Sequence, residues 1–497
     1  MSFLTRILII KHLIYEIVLA MSSSRSYREI FQDFTKVLIV NPLNTLWSYQ
    51  ICSEMALRAN EHANYTYWLN LAVRNNIRKF EMIEKQFISN YTFGKVHKLI
   101  SNLLAENGIL IASELISPDS EFDVPNFPDV DSLRDFHYRD VNLGAIVFSS
   151  LASKMNSTSF SIEQVNDLLI YYIRSGIAAI KYLEHFIQKT KPELIVTTND
   201  RFIGSAVTIS VARKFKLPYR IVYWGHDTNH FQVYRDSLFN GDEWQLFIAE
   251  NWQKNPPNVL EKSKIIMEID ELSIRPSKDS LQFLQSQKIG HSPKFDQPTI
   301  IFYSQSEHEH SPNLQINRQD RFSSQYEAFE AIQEIASELN FHLILKYHPV
   351  RFGLNKNKNA MKMLDWKKVK IASQTSEILP NSSIDTYELI KNATLNIVWD
   401  STVGIESILR NKPTLIVGNP PWLNLDWKIH ARTKEEIRRF LLSPFPLVKR
   451  EYLVPYFWYR SNFGREFKYS KFDANMKLTI KNYLIEYRLR RWKKTKI

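Results

Sequence analysis

The chain has 497 residues, with 64 Lys and Arg against 52 Asp and Glu, 44% hydrophobic residues, 13% aromatics, 20 Pro and 12 Gly. The length predicts two or three domains, and the composition excludes disordered, collagen-like and low-complexity classes. The single cysteine, Cys52, rules out an intrachain disulfide and a thiolate metal cluster, so a reducing compartment, and hence the cytoplasm, is expected.

A formal charge of +12 asks for an acidic partner such as a phosphorylated substrate or an anionic lipid surface. Nucleic acid is not expected, because no recognisable RNA-binding motif interleaves aromatics with Lys and Arg. The charge is densest at the C-terminus, where Arg488, Arg490, Arg491, Lys493, Lys494 and Lys496 surround Leu489 and Trp492. That run reads either as a foot on the inner face of the plasma membrane, each cation near an anionic leaflet contributing ~1 kcal/mol, or as a solvated helix end. At the other terminus, Met1 to Ala20 is apolar but interrupted by Arg6, Lys11, His12 and Glu16, short of the ~20 residues of a bilayer crossing. Residues 1–30 are therefore expected to be an amphipathic surface segment or sequence ahead of a true start at Met21.

The first buried-strand pattern is Lys36-Val-Leu-Ile-Val40, stopped by Asn41 and Pro42. Residues 46–105 read as helical, the acidic, Pro-bearing stretch Ser117–Pro128 as a surface loop, and Ile162–Lys189 as a long helix. Pro192-Glu-Leu-Ile-Val196, a polar turn at Thr198–Arg201, a helix over Ile203–Phe215 and Arg220-Ile-Val-Tyr-Trp224 make a parallel strand–helix–strand crossover. Ligands of open parallel sheets bind beyond the carboxyl ends of the strands, which places Asn199, Asp200 and His226 at a cleft edge. Pro256–Pro298 reads as a linker region. Strands then alternate with helices again: Thr299–Tyr303, His342–Leu345, Val369–Ile371, Leu395–Val398 and Thr414–Val417 are strands, and Gln325–Leu339, Ile384–Lys391 and Val403–Arg410 are helices. The predicted class is α/β, with two doubly wound Rossmann-like domains facing a central cleft. Their boundaries are set at 31–285 and 286–455, followed by a helical, basic tail over 456–497.

The second domain holds the candidate chemistry. His348 follows a strand and precedes Pro349; Asp400-Ser401-Thr402 follow another, with Gly404 and Glu406 opening a helix. Hydroxyls and free N–H groups at a helix start suit phosphate. Glu406, one turn in, would repel phosphate at close range and suits a ribose better. Gly418 and Asn419-Pro-Pro-Trp422 are expected to form the neighbouring wall. Asp200 could instead only cap the helix at Ile203, and His226 could be a surface turn residue. The pair His308 and His310, alternating in a polar loop, is weak evidence for a metal. No Gly-x-Gly-x-x-Gly or phosphate-loop lysine appears, so dehydrogenase and kinase readings have no support.

The runs Lys346-Tyr-His-Pro349, Ser383–Ile390, Asp400–Leu409 and Lys412–Gly418 resemble the C-terminal half of GT-B glycosyltransferases of bacterial surface and capsular polysaccharide biosynthesis, in particular the Kdo-transferase and bacterial sialyltransferase groups. The resemblance covers Thr299 to Trp422 and departs from the paired-serine pattern at Thr402. It implies transfer of a sugar from a nucleotide-sugar donor to a growing glycan or lipid-linked acceptor. The implied donor site is His348 and Ser401/Thr402 on the phosphate and Glu406 on the ribose, with Lys346 and Gly404 beside them. His348 would stabilise the leaving phosphate; Asp200 or His226 would serve as base if the reaction inverts the anomeric centre. No metal and no cofactor is expected. A GT-B-shaped nucleotide-sugar epimerase and a non-catalytic scaffold are the alternatives.

Overall fold

A run of β-branched and aliphatic residues between chain breakers can satisfy its backbone only by pairing, and each buried Val, Leu or Ile side chain contributes ~1.5–3 kcal/mol. Such runs form both central sheets. The computed structural model describes residues 30–485 except 32, 44, 72–89, 113–116, 156, 239, 275–289, 306–321, 349–365, 367–368, 380–381, 473–477 and 481–482. The expected features at residues 1–29, His308/His310, Pro349 and 486–497 lie outside the described residues.

The first half comprises β1 (Lys36–Asn41), α1 (Leu46–Ala59), β2 (Tyr65–Asn70), α2 (Asn90–Glu106), β3 (Leu110–Ala112), α3 (Val130–Arg134), α4 (Leu143–Met155), α5 (Ile162–Thr190), β4 (Leu194–Thr197), α6 (Ile203–Lys214), β5 (Tyr219–Trp224) and β6 (His230–Tyr234). After α7 (Gly241–Lys254) and α8 (Val259–Ile274) come β7 (Thr299–Tyr303), α9 (Gln325–Glu338), β8 (His342–Lys346), β9 (Ser376–Ile378), α10 (Thr386–Asn392), β10 (Leu395–Val398), α11 (Val403–Leu409), β11 (Thr414–Ile416) and α12 (Lys434–Leu441). The chain closes with α13 (Val454–Asn462), β12 (Arg465–Glu466), β13 (Ser470–Phe472), β14 (Leu478–Ile480) and β15 (Tyr483–Ile485).

The first sheet runs β12-β6-β5-β4-β1-β2-β3, parallel from β5 to β3 with β6 and β12 antiparallel at one edge. The second, β11-β10-β7-β8-β9, is parallel throughout. Both are covered on two faces, as parallel sheets must be. In β1, Val37 and Ile39 enter the core under α1 and α2, while Leu38 and Val40 enter the core under α4, α5 and α6. In β7, Ile301 and Tyr303 face α8, α10, α11 and α13, and Ile300 and Phe302 face α9 and α12. This is the doubly wound, two-domain α/β class read from the sequence.

Four local expectations are corrected. The stretch 46–105 is broken by β2, whose Tyr, Thr and Trp favour a pleated strand and which pairs with β1 along its length. The linker region contains α8, held because Ile265, Ile269 and Leu272 pack into the second domain's core. Val369–Ile371 is not a strand; the sheet edge is β9. The tail is helical only over α13, after which the chain returns to the first domain. There β12 pairs with β6, Phe467 and Ile480 join the core under α1, and the buried Glu54 accepts from Lys468 N (2.6 Å), Tyr469 N (2.7 Å) and Ser470 Oγ (3.1 Å).

Candidate functional site

Three strands of the second sheet deliver their carboxyl ends to one place. β7 supplies Tyr303 and then Ser304, β8 supplies Lys346 followed by Tyr347 and His348, and β10 leads through Trp399 and Asp400 to Ser401, Thr402 and α11. Together with Thr386, Val403 and Glu406, the residues Tyr303 and Ser304, Lys346 to His348, and Ser401 and Thr402 line a small cavity that is partly open to solvent. It lies where the strand order reverses between β7 and β10, the crevice in which open parallel sheets bind ligands. Of the residues expected at the donor site, Lys346, His348, Ser401, Thr402 and Glu406 are brought together here. Gly404 is not among the lining residues: a Cβ there would lie 2.4 Å from Trp422 Cη2, so this glycine lets α11 approach the buried indole.

Backbone pairing sets the cavity's rim. Ser304 N donates to Lys346 O (3.0 Å), and His348 N donates to Ser304 Oγ (2.9 Å), which ties the two loops to each other. Ser401 Oγ accepts from Val403 N (3.3 Å), whereas Thr402, at the N-cap of α11, makes no side-chain cap bond. Asp400 braces the rim from behind. Its N donates to Gln305 Oε1 (3.1 Å), and its Oδ1 accepts from Asn419 N (2.5 Å). The expected wall of Gly418 and Asn419–Trp422 is therefore a support for Asp400 and α11 and does not line the cavity.

Electrostatically the floor is unusual. Glu406 is 1% exposed, and burial pushes its pKa from 4.5 to about 8, against Arg410, a hydrogen bond from Tyr387 and the charge of Lys346. Its Oε2 is buried without a hydrogen-bond partner. Lys346 is itself 9% exposed, and burial pulls it from 10.5 down to about 8, with Glu406 opposing. Near neutral pH the pair is then mainly a neutral acid beside an ammonium. The expected repulsion between Glu406 and a phosphate is thereby removed, and the cavity presents positive charge. Arg410 stacks on the Tyr387 ring at 3.9 Å and donates from Nη1 to Glu406 O (2.8 Å), fixing the side of α11 that faces α10. Sequence reasoning assigned no role to Ser304, Thr386 or Tyr387. Ser304 could have been found as the first residue beyond a parallel strand, as His348 was.

The two first-domain candidates stand elsewhere. Asp200 does not line this cavity, and the N-cap of α6 is Phe202. Its Oδ2 accepts from Ser237 Oγ (2.6 Å) and Leu238 N (2.9 Å), so the residue straps the β4–α6 turn to the loop after β6, and burial raises its pKa. Neighbouring Asn199 takes a positive φ of 66° and accepts from the N–H groups of Asp200 and Arg201, each at 2.8 Å. His226 stands at the turn between β5 and β6, where its Nδ1 donates to Phe463 O at 2.7 Å. Among the described residues no helix is long and apolar enough to cross a membrane.

Comparison with known proteins bears on the same half of the molecule. No curated protein matches the sequence. Among solved structures, the chain is similar to the β-Kdo 2,4-transferase KpsC of Thermosulfurimonas dismutans, with 12% identity, 53% of this chain and 78% of that chain covered and a TM-score of 0.34. For the β-Kdo 2,7-transferase of the same KpsC the values are 13%, 55%, 79% and 0.32. For the UDP-GlcNAc 2-epimerase of Neisseria meningitidis bound to UDP-GlcNAc they are 11%, 86%, 93% and 0.24. Residues 269–425, which contain every lining residue of the cavity, match the sequence model of the family described as capsule polysaccharide biosynthesis protein. The match to the capsule polysaccharide biosynthesis family thus spans residues 269–425, which hold the motifs from Lys346 to Gly418 that carried the resemblance.

Proposed function

We infer that the protein is a glycosyltransferase of capsular polysaccharide synthesis that holds a nucleotide-sugar donor in the second-domain cavity and transfers its sugar to a glycan or lipid-linked acceptor. The observation that carries this reading is the buried, unpartnered Oε2 of Glu406 in a cavity whose other polar groups include the Lys346 ammonium, the His348 imidazole and the hydroxyls of Ser304, Thr386, Ser401 and Thr402. A ribose hydroxyl would satisfy that oxygen, and the remaining groups suit a phosphate. In the transfer, an acceptor oxygen attacks the anomeric carbon while the bond to the phosphate oxygen breaks, and negative charge grows on the departing group. Lys346 and His348 are placed to offset that charge, with Ser304, Ser401 and Thr402 as further donors. These groups can do so without a metal ion, and the reading invokes none at this cavity. Asp200 is better explained as a strap than as the base that takes the acceptor's proton.

Calorimetric titration with nucleotides tests the ribose contact. Glu406→Ala should weaken binding by about 1.5–3 kcal/mol, the loss of a hydrogen bond at a buried polar group. Unchanged affinity in a folded variant would remove Glu406 from the site. Incubation with a panel of nucleotide sugars, with and without glycan acceptor, tests the reaction class. Acceptor-dependent release of nucleotide supports transfer, whereas isomerised free nucleotide sugar would establish an epimerase instead.

A further inference from the structure

The hairpin between β5 and β6 brings together three residues of metal-ligating type that the donor cavity does not use. His226 and Asp227 follow β5, and His230 opens β6. One ligand atom of each can be chosen so that all three lie within 4.8 Å of one another. The rings of His226 and His230 lie 4.0 Å apart between centroids. Asp227 sits against both: His230 Nδ1 donates to Asp227 Oδ1 at 2.6 Å, and His226 Nε2 is 3.6 Å from Asp227 Oδ2.

The surroundings of the cluster orient it. The Nδ1 of His226 donates to the carbonyl of Phe463, which can only accept, so the proton of a neutral ring is on Nδ1 and the Nε2 lone pair points away from that bond toward Asp227. A ring nitrogen held by a backbone carbonyl while the other stays available is the usual second-shell arrangement of a metal-ligating histidine. Two glycines permit the approach. A Cβ on Gly225 would lie 2.6 Å from Phe463 O, and one on Gly464, whose φ is +103°, would lie 2.9 Å from Gly225 Cα. The backbone pair Gly225 N to His230 O (2.7 Å) closes the hairpin, and His226 N to Phe463 O (2.9 Å) fastens it to the crossover between α13 and β12. The three side chains are between about a fifth and a half exposed, so the position is accessible to an ion from solvent.

We propose that His226, Asp227 and His230 form a binding site for a divalent transition-metal cation of the zinc class at the β5–β6 hairpin of the first sheet. Two imidazoles and one carboxylate match the ligand preference of such cations and leave coordination positions open for water or an anionic oxygen. The ion would clamp the hairpin against the α13–β12 crossover. The site is separate from the donor cavity, so it fits a donor-side mechanism that uses no metal.

The test uses the full chain, stripped with EDTA and dialysed into a non-coordinating buffer. Titration with Zn2+ against a chromophoric indicator should give one equivalent bound per chain, and Co2+ should give visible d–d bands. His230→Ala should bind at least ~10-fold more weakly, since even outer-shell partners of a metal ligand are worth that much. Zn2+ should raise the melting temperature of the wild type, reversibly with EDTA, and should not raise that of His230→Ala or Asp227→Asn. A purely structural role for the cluster predicts a lower starting melting temperature with the metal-dependent rise intact, which would overturn the proposal. A double His308→Ala/His310→Ala variant decides the location: loss of Zn2+ binding there, with binding retained in His230→Ala, refutes the assignment, and so does a wild type that binds no Zn2+.

Discussion

Replacing Glu406 by Gln tests the electrostatics of the cavity floor without emptying it. The folded protein holds the Glu406 proton up to about pH 8, whereas the unfolded chain releases it near the ordinary value of 4.5. This contribution to stability is therefore fully present below pH 4.5 and is lost as pH rises to 8. At about 1.4 kcal/mol per pH unit it amounts to roughly 4 kcal/mol between pH 5 and pH 8. Lys346 acts with the opposite sign in a higher window: its folded value of about 8 lies below 10.5, so stability returns as pH rises from 8 to 10.5. Around this pair the wild type should pass through a minimum of stability near pH 8. In Glu406→Gln the descending limb should be missing. For a domain of this size 1 kcal/mol moves the melting temperature by roughly 2–4 °C, so wild type should lose roughly 8–16 °C more than the variant between pH 5 and pH 8 in scanning calorimetry. Parallel melting curves across that range would refute the reasoning, because they would mean that Glu406 titrates in the folded protein as it does in water.

Three further outcomes are expected. His348→Ala should lower kcat by roughly 10²–10³ with a smaller change in donor affinity and an unchanged melting temperature, and Thr402→Val should act the same way more weakly; normal single-turnover rates per folded molecule would remove His348 from catalysis. Asp200→Ala should destabilise the protein by about 1–3 kcal/mol in urea titration while leaving turnover per folded molecule unchanged, since the strap to Ser237 and Leu238 is lost and the donor cavity is not touched. Deleting Arg488 to Ile497 should reduce sedimentation with anionic vesicles at low salt, and wild-type binding should fall as salt is raised; wild type that ignores such vesicles would end the membrane reading.

The second domain was legible because its strands are short uniform apolar runs, each passing at once into polar residues. A parallel sheet buried on both faces needs such runs, and its topology places the residues just beyond each strand at the ligand crevice. That rule placed His348, Ser401 and Thr402 at one crevice, where the structure brings them together. Glu406 was found too, but its protonation was not, because that depends on Tyr303, Tyr387 and Arg410 closing over it from separate elements. β2 was missed because the whole stretch 46–105 has few breakers and many charges, so the six residues of Tyr65–Asn70 did not stand out from it. Asp200 has the same position beyond a parallel strand, yet its carboxylate accepts from the distant Ser237 and Leu238, a pairing that spacing along the chain does not reveal. The return of residues 465–472 and 478–480 to the first domain could not be read, since two-residue and three-residue strands leave no periodicity.

That return has a practical consequence for anyone wishing to exchange second domains between chains of this architecture. The first domain is discontinuous in sequence: its edge strand and part of its core come from residues beyond Asn462, and the second domain is threaded between them. A head-to-tail fusion with a single junction would strip Glu54 of its donors at Lys468, Tyr469 and Ser470, leave the β6 edge unpaired and hand the second domain a segment that belongs to its neighbour. A workable chimaera needs two junctions, one between Lys254 and Val259, ahead of the α8 that packs into the second domain, and one after Asn462, so that the replacement enters as an insert and the first domain keeps its own last strands.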